Sequence, residues 1–314
     1  MVKVIVNPAA GAFKEHEWRL HAKYKDSLVF TEPGAREGFF LRPANLASIV
    51  RDIEDEVILA GGDGHIHIFV DEVIRQGYTL PKVRIIPIGT GNDFSLNIGI
   101  RNVAHAFQNQ GHYKEANILQ VDVYSEDGLE ETLRFLNMVD VGYGAYLLEW
   151  MEQNPEFKAR HGQKAYERAV LPSYSGYSHR SMVLRAGEAN VHYDNVVLPL
   201  VMNGNYGGGG LLLGKDQSPF DGSFGVTVGH QFWQGYPGLL HVVPVLLKAS
   251  RGDDSLFLNR RVDTHHVAEA TFEAPQGRTL GKLLNADGEL YVAEKDITRL
   301  EFSVYGKLSV YVPR

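Results

Sequence analysis

The 314-residue chain contains no cysteine, which excludes disulfide bonds and thiolate chemistry and suits a reducing cytoplasm. It also lacks any long hydrophobic run. No stretch approaches the roughly 20 apolar residues that a membrane-spanning helix needs. The opening apolar run, Val2–Val6, ends at Asn7-Pro8 and is too short for a signal peptide. We therefore expect a cytoplasmic protein that has no transmembrane segment and can reach a membrane only from its surface.

The chain also has no excess of basic residues. The 31 Lys and Arg residues are outnumbered by 38 Asp and Glu residues, which gives a formal net charge of −7. A nucleic-acid partner normally requires a basic face, so we expect none here. An anionic ligand would have to be held by local backbone N–H groups and a metal ion instead of by bulk charge. The hydrophobic fraction of 44% is ordinary for a globular chain, and the length corresponds to about two domains.

The first part of the chain alternates between strand and helix patterns. Apolar strands are predicted at 2–6, 27–30, 57–60 and 83–88, with helices at 14–25, 44–53 and 66–74 between them. Fully apolar strands that alternate with helices indicate a parallel sheet covered on both faces.

After Ala116 the predicted strands become richer in β-branched residues and are separated by Gly and Asn turns. They cover 118–124, 132–139, 182–185, 196–202, 224–228 and 267–272, with helices at 145–153, 163–170 and 239–247. A last pair of segments, 297–305 and 308–312, is predicted to form a hairpin around Gly306-Lys307. This pattern favours a mostly antiparallel second domain.

Three glycine-rich turns each follow a predicted parallel strand: Asn7–Gly11, Gly61–Gly64 and Gly89–Asp93. The carboxyl ends of parallel strands meet at one edge of the sheet, where α/β proteins bind ligands. Glycine lets backbone N–H groups approach phosphate oxygens closely, and a following helix N-terminus favours an anion. The three turns together predict a phosphate site.

Neither a Gly-x-x-x-x-Gly-Lys-Ser/Thr loop nor a Gly-x-Gly-x-x-Gly fingerprint after the first strand is present. A phosphate site without a motif lysine depends on backbone amides and Mg²⁺. The carboxylates of Asp63 and Asp93 lie in or beside these turns and offer the oxygen ligands that Mg²⁺ prefers.

With these turns, the sequence resembles the diacylglycerol kinase catalytic-domain family, which includes bacterial lipid kinases and sphingosine kinases. Further stretches resemble family motifs in the family's order along the chain. The stretches that carry the resemblance are Asn7-Pro8-Ala9-Ala10-Gly11, Gly61-Gly62-Asp63-Gly64, Pro87–Phe94, Asn137–Gly144, Asn203–Gly209, Phe220–Phe224 and Asp287-Gly288-Glu289.

The resemblance implies an α/β plus β fold. A Rossmann-like α/β nucleotide-binding domain would comprise residues 1–116 and 296–314, because the family's last strands return to the first domain. A mostly antiparallel β-sandwich domain would comprise residues 117–295.

The resemblance also implies an ATP site, a general base and a metal site. The ATP site would be lined by Asn7, Pro8, Gly11, Thr31, Gly61, Gly62, Asp63, Gly64, Gly89, Thr90 and Asn92. Asp287 would accept the proton of the attacking hydroxyl, Glu289 would support it or bind metal, and Asp63 would meet Mg²⁺. Ser218, Asp221 and Ser223 would hold a second, structural Mg²⁺.

Two positions depart from the family pattern. His65 follows Gly64 where the family usually has Thr or Asn, and Ala10 stands where a small polar residue is common. Both changes remove polar groups near the expected phosphates. His65 and His67 could suggest a metal pair, but they are two residues apart with no matching Asp/Glu set nearby, so we expect a local packing or surface role.

Three functions remain open. The first is an ATP-dependent lipid kinase acting on diacylglycerol, a sphingoid base or another lipid reached at the membrane surface. The second is a catalytically weak or silent nucleotide- or lipid-binding regulator, and the third is an enzyme resembling an NAD kinase. Asp287-Gly288 also fits a plain hairpin turn. The pattern names neither the acceptor nor the oligomeric state.

Overall fold

The computed structural model describes residues 2–37, 40–53, 55–108, 110–161 and 165–314. The first part contains β1 (Lys3–Val6), α1 (Phe13–Tyr24), β2 (Leu28–Phe30), β3 (Ala35–Glu37), β4 (Phe40–Arg42), α2 (Leu46–Arg51), β5 (Glu56–Gly61), α3 (Asp63–Arg75), β6 (Lys82–Pro87), α4 (Asp93–Asn97) and α5 (Val103–Ala106). The predicted strands and helices of this part are therefore confirmed, with ends that differ by a few residues.

The rest of the chain is mostly strand. It contains β7 (Gly111–Ser125), β8 (Gly128–Phe135), β9 (Met138–Asp140), α6 (Tyr143–Gln153), α7 (Pro155–His161), α8 (Ala165–Tyr174), β10 (Arg180–Ala186), β11 (Ala189–Val196), β12 (Leu198–Met202), β13 (Tyr206–Gly207), β14 (Leu211–Leu212), β15 (Phe224–Gly229), α9 (Leu239–Ser250), β16 (Val262–Val267), β17 (Glu269–Glu273), β18 (Gly281–Ala286), β19 (Glu289–Ile297) and β20 (Arg299–Pro313). The first two residues of the helix predicted at 163–170 lie outside the described residues, and the remainder falls in α8.

Strands β2, β1, β5 and β6 lie side by side and are parallel, as the alternating pattern predicted. Successive residues of these strands point into two different cores. Ile5 packs into the core beneath α2 and α3, whereas Val4 and Val6 pack into the core beneath α1. The parallel sheet is thus covered on both faces, which explains its uninterrupted apolar strands.

The hairpin predicted for the last segment is wrong. β20 is one strand of fifteen residues, and it continues through a register shift next to Tyr305. It pairs with β7 along its whole length, and on its other edge with β17 and then β6. The backbone at Gly306-Lys307 therefore stays extended, because these residues pair with Ile118 and Asn117 within the continuous β20–β7 ladder.

Three predicted strands cross breaks between elements. The stretch 132–139 divides into β8 and β9, 196–202 covers the end of β11 and then β12, and 267–272 covers the end of β16 and then β17. In each case the chain passes from one sheet to the other. A pattern of apolar residues cannot show such a passage, since both strands bury apolar side chains.

Two large sheets dominate the described part of the fold, beside two small two-stranded sheets, β3-β4 and β13-β14. The mixed sheet runs β11-β10-β17-β20-β6-β5-β1-β2, with β7 and then β8 added beside β20. The second sheet is antiparallel and runs β16-β15-β12-β9-β18-β19. Side chains of both sheets form one apolar core, which includes Val121, Phe135, Phe272 and Phe302 from the mixed sheet and Val226 and Tyr291 from the second.

The domain boundaries at 116 and 296 stay a prediction, because β7 and β20 each run through both parts of the mixed sheet. In the described part of the chain, no helix combines the length and apolarity needed to cross a membrane.

Candidate nucleotide and acceptor site

The three glycine turns touch one another at the carboxyl edge of the parallel strands. A Cβ atom added to Gly11 would lie 2.6 Å from Thr90 Oγ1, so the first turn contacts the third. A Cβ atom on Gly89 would collide with Cα of Gly62, so the third turn contacts the second. The side chain of Asn92 closes the third turn, since its Oδ1 accepts the Gly89 N–H at 3.1 Å and its Nδ2 donates to Gly89 O at 2.9 Å. Glycine is required here by close backbone approach.

The remaining predicted ATP-site residues lie at the ends of β1 and β2. Asn7 Oδ1 accepts the N–H of Ala9 at 2.9 Å and shapes the first turn, which contains Pro8. Thr31 is buried, and its N–H and hydroxyl both donate to Val6 O. Gly61 packs against the ring of His65.

Asp63 begins α3 and connects the second turn to the third. Its carboxylate accepts the N–H groups of Asp93 at 2.8 Å and Phe94 at 3.0 Å, which are the first two residues of α4. Burial, aided by the charge of Asp93, raises the pKa of Asp63 to about 8. The Asp287 carboxylate also contributes to this rise, which places the three carboxylates within electrostatic reach of one another.

Asp93 reaches from α4 to the glycine loop between β13 and β14. Its two oxygens accept the N–H groups of Gly209 at 2.8 Å and Gly210 at 2.5 Å. Both glycines have positive φ, a conformation that turns their N–H groups toward the carboxylate. Burial raises the pKa of Asp93, although these two hydrogen bonds oppose the rise. The contact joins the α/β part to the second part of the chain.

Asp287 lies in the turn between β18 and β19. Asp287 and Gly288 have φ values of 51° and 88°, so the hairpin turn suggested by the Asp-Gly pair is present. The Asp287 side chain is buried and accepts the N–H groups of Leu136, Asn137 and Met138 at 2.7–2.8 Å. Asp287 therefore forms the hairpin turn with its backbone and also places its side chain in the protein interior.

His67 of α3 provides a fourth contact to Asp287, with Nδ1 3.0 Å from Oδ2. Burial alone would lower the pKa of His67, but the hydrogen bond to Asp287 and its charge raise the pKa above its usual value. Burial lowers the pKa of His65 to about 4, so this side chain is neutral at pH 7. Both histidines are buried, so of the packing and surface roles expected for them the surface role is excluded.

Glu289 follows Asp287 and reaches the second glycine turn. A Cβ atom on Gly64 would collide with its carboxylate, so the side chain lies directly against the turn. Asp63 and Glu289 thus lie in or against the glycine turns, and Asp287 acts electrostatically on Asp63.

The predicted second metal set forms a separate turn. Asp221 Oδ1 accepts the N–H of Ser223 at 3.0 Å and its hydroxyl at 2.8 Å, and His266 Nε2 lies 3.4 Å from Oδ2. The Ser218 hydroxyl accepts the N–H of Phe220 at 3.3 Å. These contacts already engage the oxygens that a metal would use. Across the described residues, no three or more His, Asp or Glu side chains are arranged to hold a metal ion.

A cavity of about 560 Å³ opens beside the third turn. It is lined by Ala12, His16, Arg19, Pro87, Gly89, Thr90, Asn92, Asp93, Leu96, Ile100, Arg101, Asn102, Val103, Ala104, Gly209 and Gly210. Two arginines and three predicted site residues therefore face one space, which is large enough for a small-molecule ligand.

Sequence reasoning missed three features of this site. The Asp93 contact with Gly209 and Gly210 joins positions 116 residues or more apart, and the His67–Asp287 pair spans 220 residues. The glycine run after Asn203 and the Asp-Gly turn were visible signals, but neither identified its partner. No sequence signal pointed to Arg19 and Arg101.

Buried carboxylates therefore lie against three touching glycine turns at the carboxyl edge of the parallel strands, where the sequence predicts a phosphate site. Residues 1–125 match the model of the family described as the diacylglycerol kinase catalytic domain, which confirms the resemblance for this part of the chain.

Curated relatives and a solved structure agree with this match. The chain is 23% identical over 190 residues to the "Probable lipid kinase YegS-like" of Shewanella frigidimarina, covering 58% of the chain and 57% of that protein. It is 31% identical over 162 residues to the "Probable lipid kinase YegS" of Escherichia fergusonii, covering half of each. The chain thus spans about half the length of these relatives. A crystal structure of a diacylglycerol kinase from Bacillus anthracis str. Sterne aligns with all of this chain and 96% of its own, with a TM-score of 0.65 and 19% identity, which is a likeness of fold.

Proposed function

We propose that this protein is an ATP-dependent lipid kinase that transfers the γ-phosphate to a hydroxyl of a lipid such as diacylglycerol or a sphingoid base. The observation that carries the proposal is the meeting of three glycine turns with the buried carboxylates of Asp63, Asp93 and Asp287. The matched family domain and the names of the relatives support the same class.

In this proposal the nucleotide lies across the three turns, in a Rossmann-like part of the chain. Their backbone N–H groups and the N-terminal end of α3 supply the attraction for the phosphates. The cavity beside Thr90 and Asn92 gives the nucleotide or the acceptor a space next to Arg19 and Arg101. Phosphoryl transfer depends mainly on such positioning and charge stabilisation.

Mg²⁺ would arrive with the nucleotide, because proteins commonly hold it through one or two carboxylates together with substrate phosphates. Asp63 and Asp93 are the carboxylates beside the glycine turns. Because burial raises the pKa of Asp63 to about 8, a cation that binds this carboxylate would displace its proton. When bound, the ion would neutralise charge on the phosphates. The turn of Ser218, Asp221 and Ser223 remains a candidate for a second ion, although its own contacts engage these side chains.

Asp287 is the proposed general base. A carboxylate has about four lone-pair sites, and in this structure Asp287 uses them for three backbone N–H groups and His67. The base role therefore requires one of these contacts to open when the acceptor binds, since catalytic hydrogen bonds often form only in the substrate complex. Glu289 would support the site from its position against Gly64.

The test is Mg²⁺-dependent transfer of labelled γ-phosphate from ATP to a mixed lipid extract, with Asp287→Asn beside the wild type. Loss of a general base should lower the rate about 10²- to 10⁴-fold. Asp127→Asn, which changes an exposed carboxylate paired with Lys295, is the control and should retain full activity. Circular dichroism and nucleotide binding establish that each variant is folded.

Full activity in Asp287→Asn would remove the base assignment. A folded wild type that binds nucleotide but labels no lipid would favour the silent regulator, which His65 and the fully engaged Asp287 carboxylate also suit. Labelling of NAD instead of lipid would favour the NAD kinase-like alternative. We place the enzyme in the cytoplasm, in contact with the membrane surface that carries its acceptor.

A further inference from the structure

Helix α9 is apolar on the face that it exposes as well as on the face that it buries. Its buried side chains are Leu239, Val242, Val245 and Ala249. The residues that point outward before Ser250 are Leu240, Val243, Pro244 and Leu247, of which Leu240 is 70% and Leu247 48% exposed. A helix on a protein surface normally carries polar residues on its outer face. The outer face of α9 therefore fits contact with an apolar partner.

Trp233 extends this surface. Its side chain is 55% exposed, and its ring lies 4.4 Å from the ring of His241 in the first turn of α9. Tyr174 holds the segment by donating from its hydroxyl to Trp233 O at 3.1 Å. An exposed indole beside aliphatic side chains is typical of protein surfaces that enter the boundary of a bilayer. We refer to Trp233, Leu240, Val243 and Leu247 as the α9 face.

Basic side chains flank the α9 face at both ends. Arg261 donates from Nε to Gln231 O at 3.3 Å, and its charge acts on His241 at the start of the helix. Lys248 and Arg251 lie at the end of the helix, where the carboxylate of Asp253 is within electrostatic reach of both. An anionic bilayer complements an apolar face with a cationic border.

The α9 face is also connected to the cleft. Helix α9 packs against β14, and Leu211 of β14 belongs to the same apolar cluster as Leu239 and Val242. The two residues before β14, Gly209 and Gly210, line the cavity and bind Asp93. A short apolar stretch thus leads from the helix to the site.

We propose that the α9 face docks on an anionic lipid bilayer, so that the lipid alcohol enters the cleft past β14 and Gly210 while its hydrocarbon part stays on the bilayer side. The inference rests on the proposed function, because the acceptor is a lipid there. It adds the surface through which the enzyme reaches that acceptor.

Sedimentation with vesicles tests the docking surface without any need for turnover. The wild type is compared with Leu240→Ser/Leu247→Ser on vesicles of phosphatidylcholine mixed with phosphatidylglycerol and on phosphatidylcholine alone. Leu240 is largely exposed and Leu247 about half exposed, so the variant should fold normally. Removing two inserted leucines should weaken vesicle binding at least about tenfold. Leu129→Ser is the matched control, since Leu129 is 57% exposed outside the α9 face and its loss should leave binding unchanged.

Anionic vesicles should bind the wild type more tightly than neutral ones, and Lys248→Gln should reduce that difference. Equal vesicle binding by the wild type and the double variant would overturn the inference, and so would a wild type that does not bind vesicles at all. A dimer in light scattering that the double variant abolishes would assign the face to a second copy. Vesicle binding without kinase activity would contradict only the proposed function, whereas kinase activity on a water-soluble short-chain lipid without vesicle binding would contradict only this inference.

Discussion

Asp63 and Asp140 are carboxyl groups that the fold buries at a helix start. Asp140 is the last residue of β9 and accepts the N–H groups of Gly142 at 2.6 Å and Ala145 at 3.1 Å, just as Asp63 accepts those of Asp93 and Phe94. Burial raises the pKa of Asp63 to about 8 and that of Asp140 to about 7, from an ordinary 3.8. The folded protein therefore keeps protons that the unfolded chain releases.

A raised carboxyl pKa makes stability fall as pH increases between the unfolded and the folded pKa. Between pH 6.5 and 8 the unfolded carboxyls are fully ionised while Asp63 and Asp140 titrate in the folded state. We expect the free energy of unfolding to decrease by about 2 kcal/mol over this interval. His67 acts in the same direction, because its folded pKa is raised as well.

Urea unfolding at the two pH values measures this dependence. In Asp63→Asn the dependence should shrink by more than half, whereas in Asp127→Asn, which changes an exposed side chain, it should persist. A wild type with equal stability at both pH values would contradict the expectation.

At the scale of the element, the third glycine turn offers a matched pair of substitutions. A Cβ atom on Gly89 would collide with backbone atoms of Gly62, which cannot rotate away. A Cβ atom on Gly91 would meet nothing nearer than Asp63 Oδ2 at 3.5 Å. Neither glycine has positive φ, so the difference between the two positions is steric.

We expect Gly89→Ala to lower the free energy of unfolding by about 1–3 kcal/mol and to abolish binding of an ATP analogue, because the turns must separate. Gly91→Ala should change stability by no more than about 0.5 kcal/mol and should still bind. Urea unfolding and fluorescence titration with the analogue compare the two. Equal behaviour of both variants would mean that the close contact between turns does not matter for binding.

At the scale of the whole molecule, β20 passes through both main cores. Leu300 at one end is buried in the core between the two sheets, and Leu308 further along is buried under the α/β part. Because one strand with one long partner, β7, serves both cores, we expect the two parts to unfold together.

Leu300→Ala and Leu308→Ala are the same change on the same strand in two cores. Each should lower the free energy of unfolding by about 2–5 kcal/mol. Each should shift one single transition that coincides in far-UV and near-UV circular dichroism. Two separate transitions, each sensitive to only one of the substitutions, would show instead that the parts unfold independently.

The local pattern predicted the class of fold because its signals lie close together in sequence. Apolar strands followed by glycine turns, with helices between them, identified the parallel sheet, the edge where the glycine turns meet and the resemblance to the diacylglycerol kinase catalytic domain. The periodicity of apolar residues in a strand and the residue types in a turn depend only on neighbouring positions, so both can be recognised in a single sequence.

The tertiary structure decided which distant residues meet. Gly306-Lys307 looked like a hairpin turn, but pairing with β7, nearly 190 residues earlier, continues β20 as one strand through this point. Asp287 contacts Leu136–Met138 and His67, and Asp93 accepts the N–H groups of Gly209 and Gly210. The partners in these contacts lie about 115 to 220 residues apart in the sequence. The outer face of α9 is another such case, since a helix with apolar residues all round shows which side is exposed only once its packing partners are in place. Patterns along the chain carry period and turn geometry, whereas these contacts depend on which surfaces the folded chain brings together.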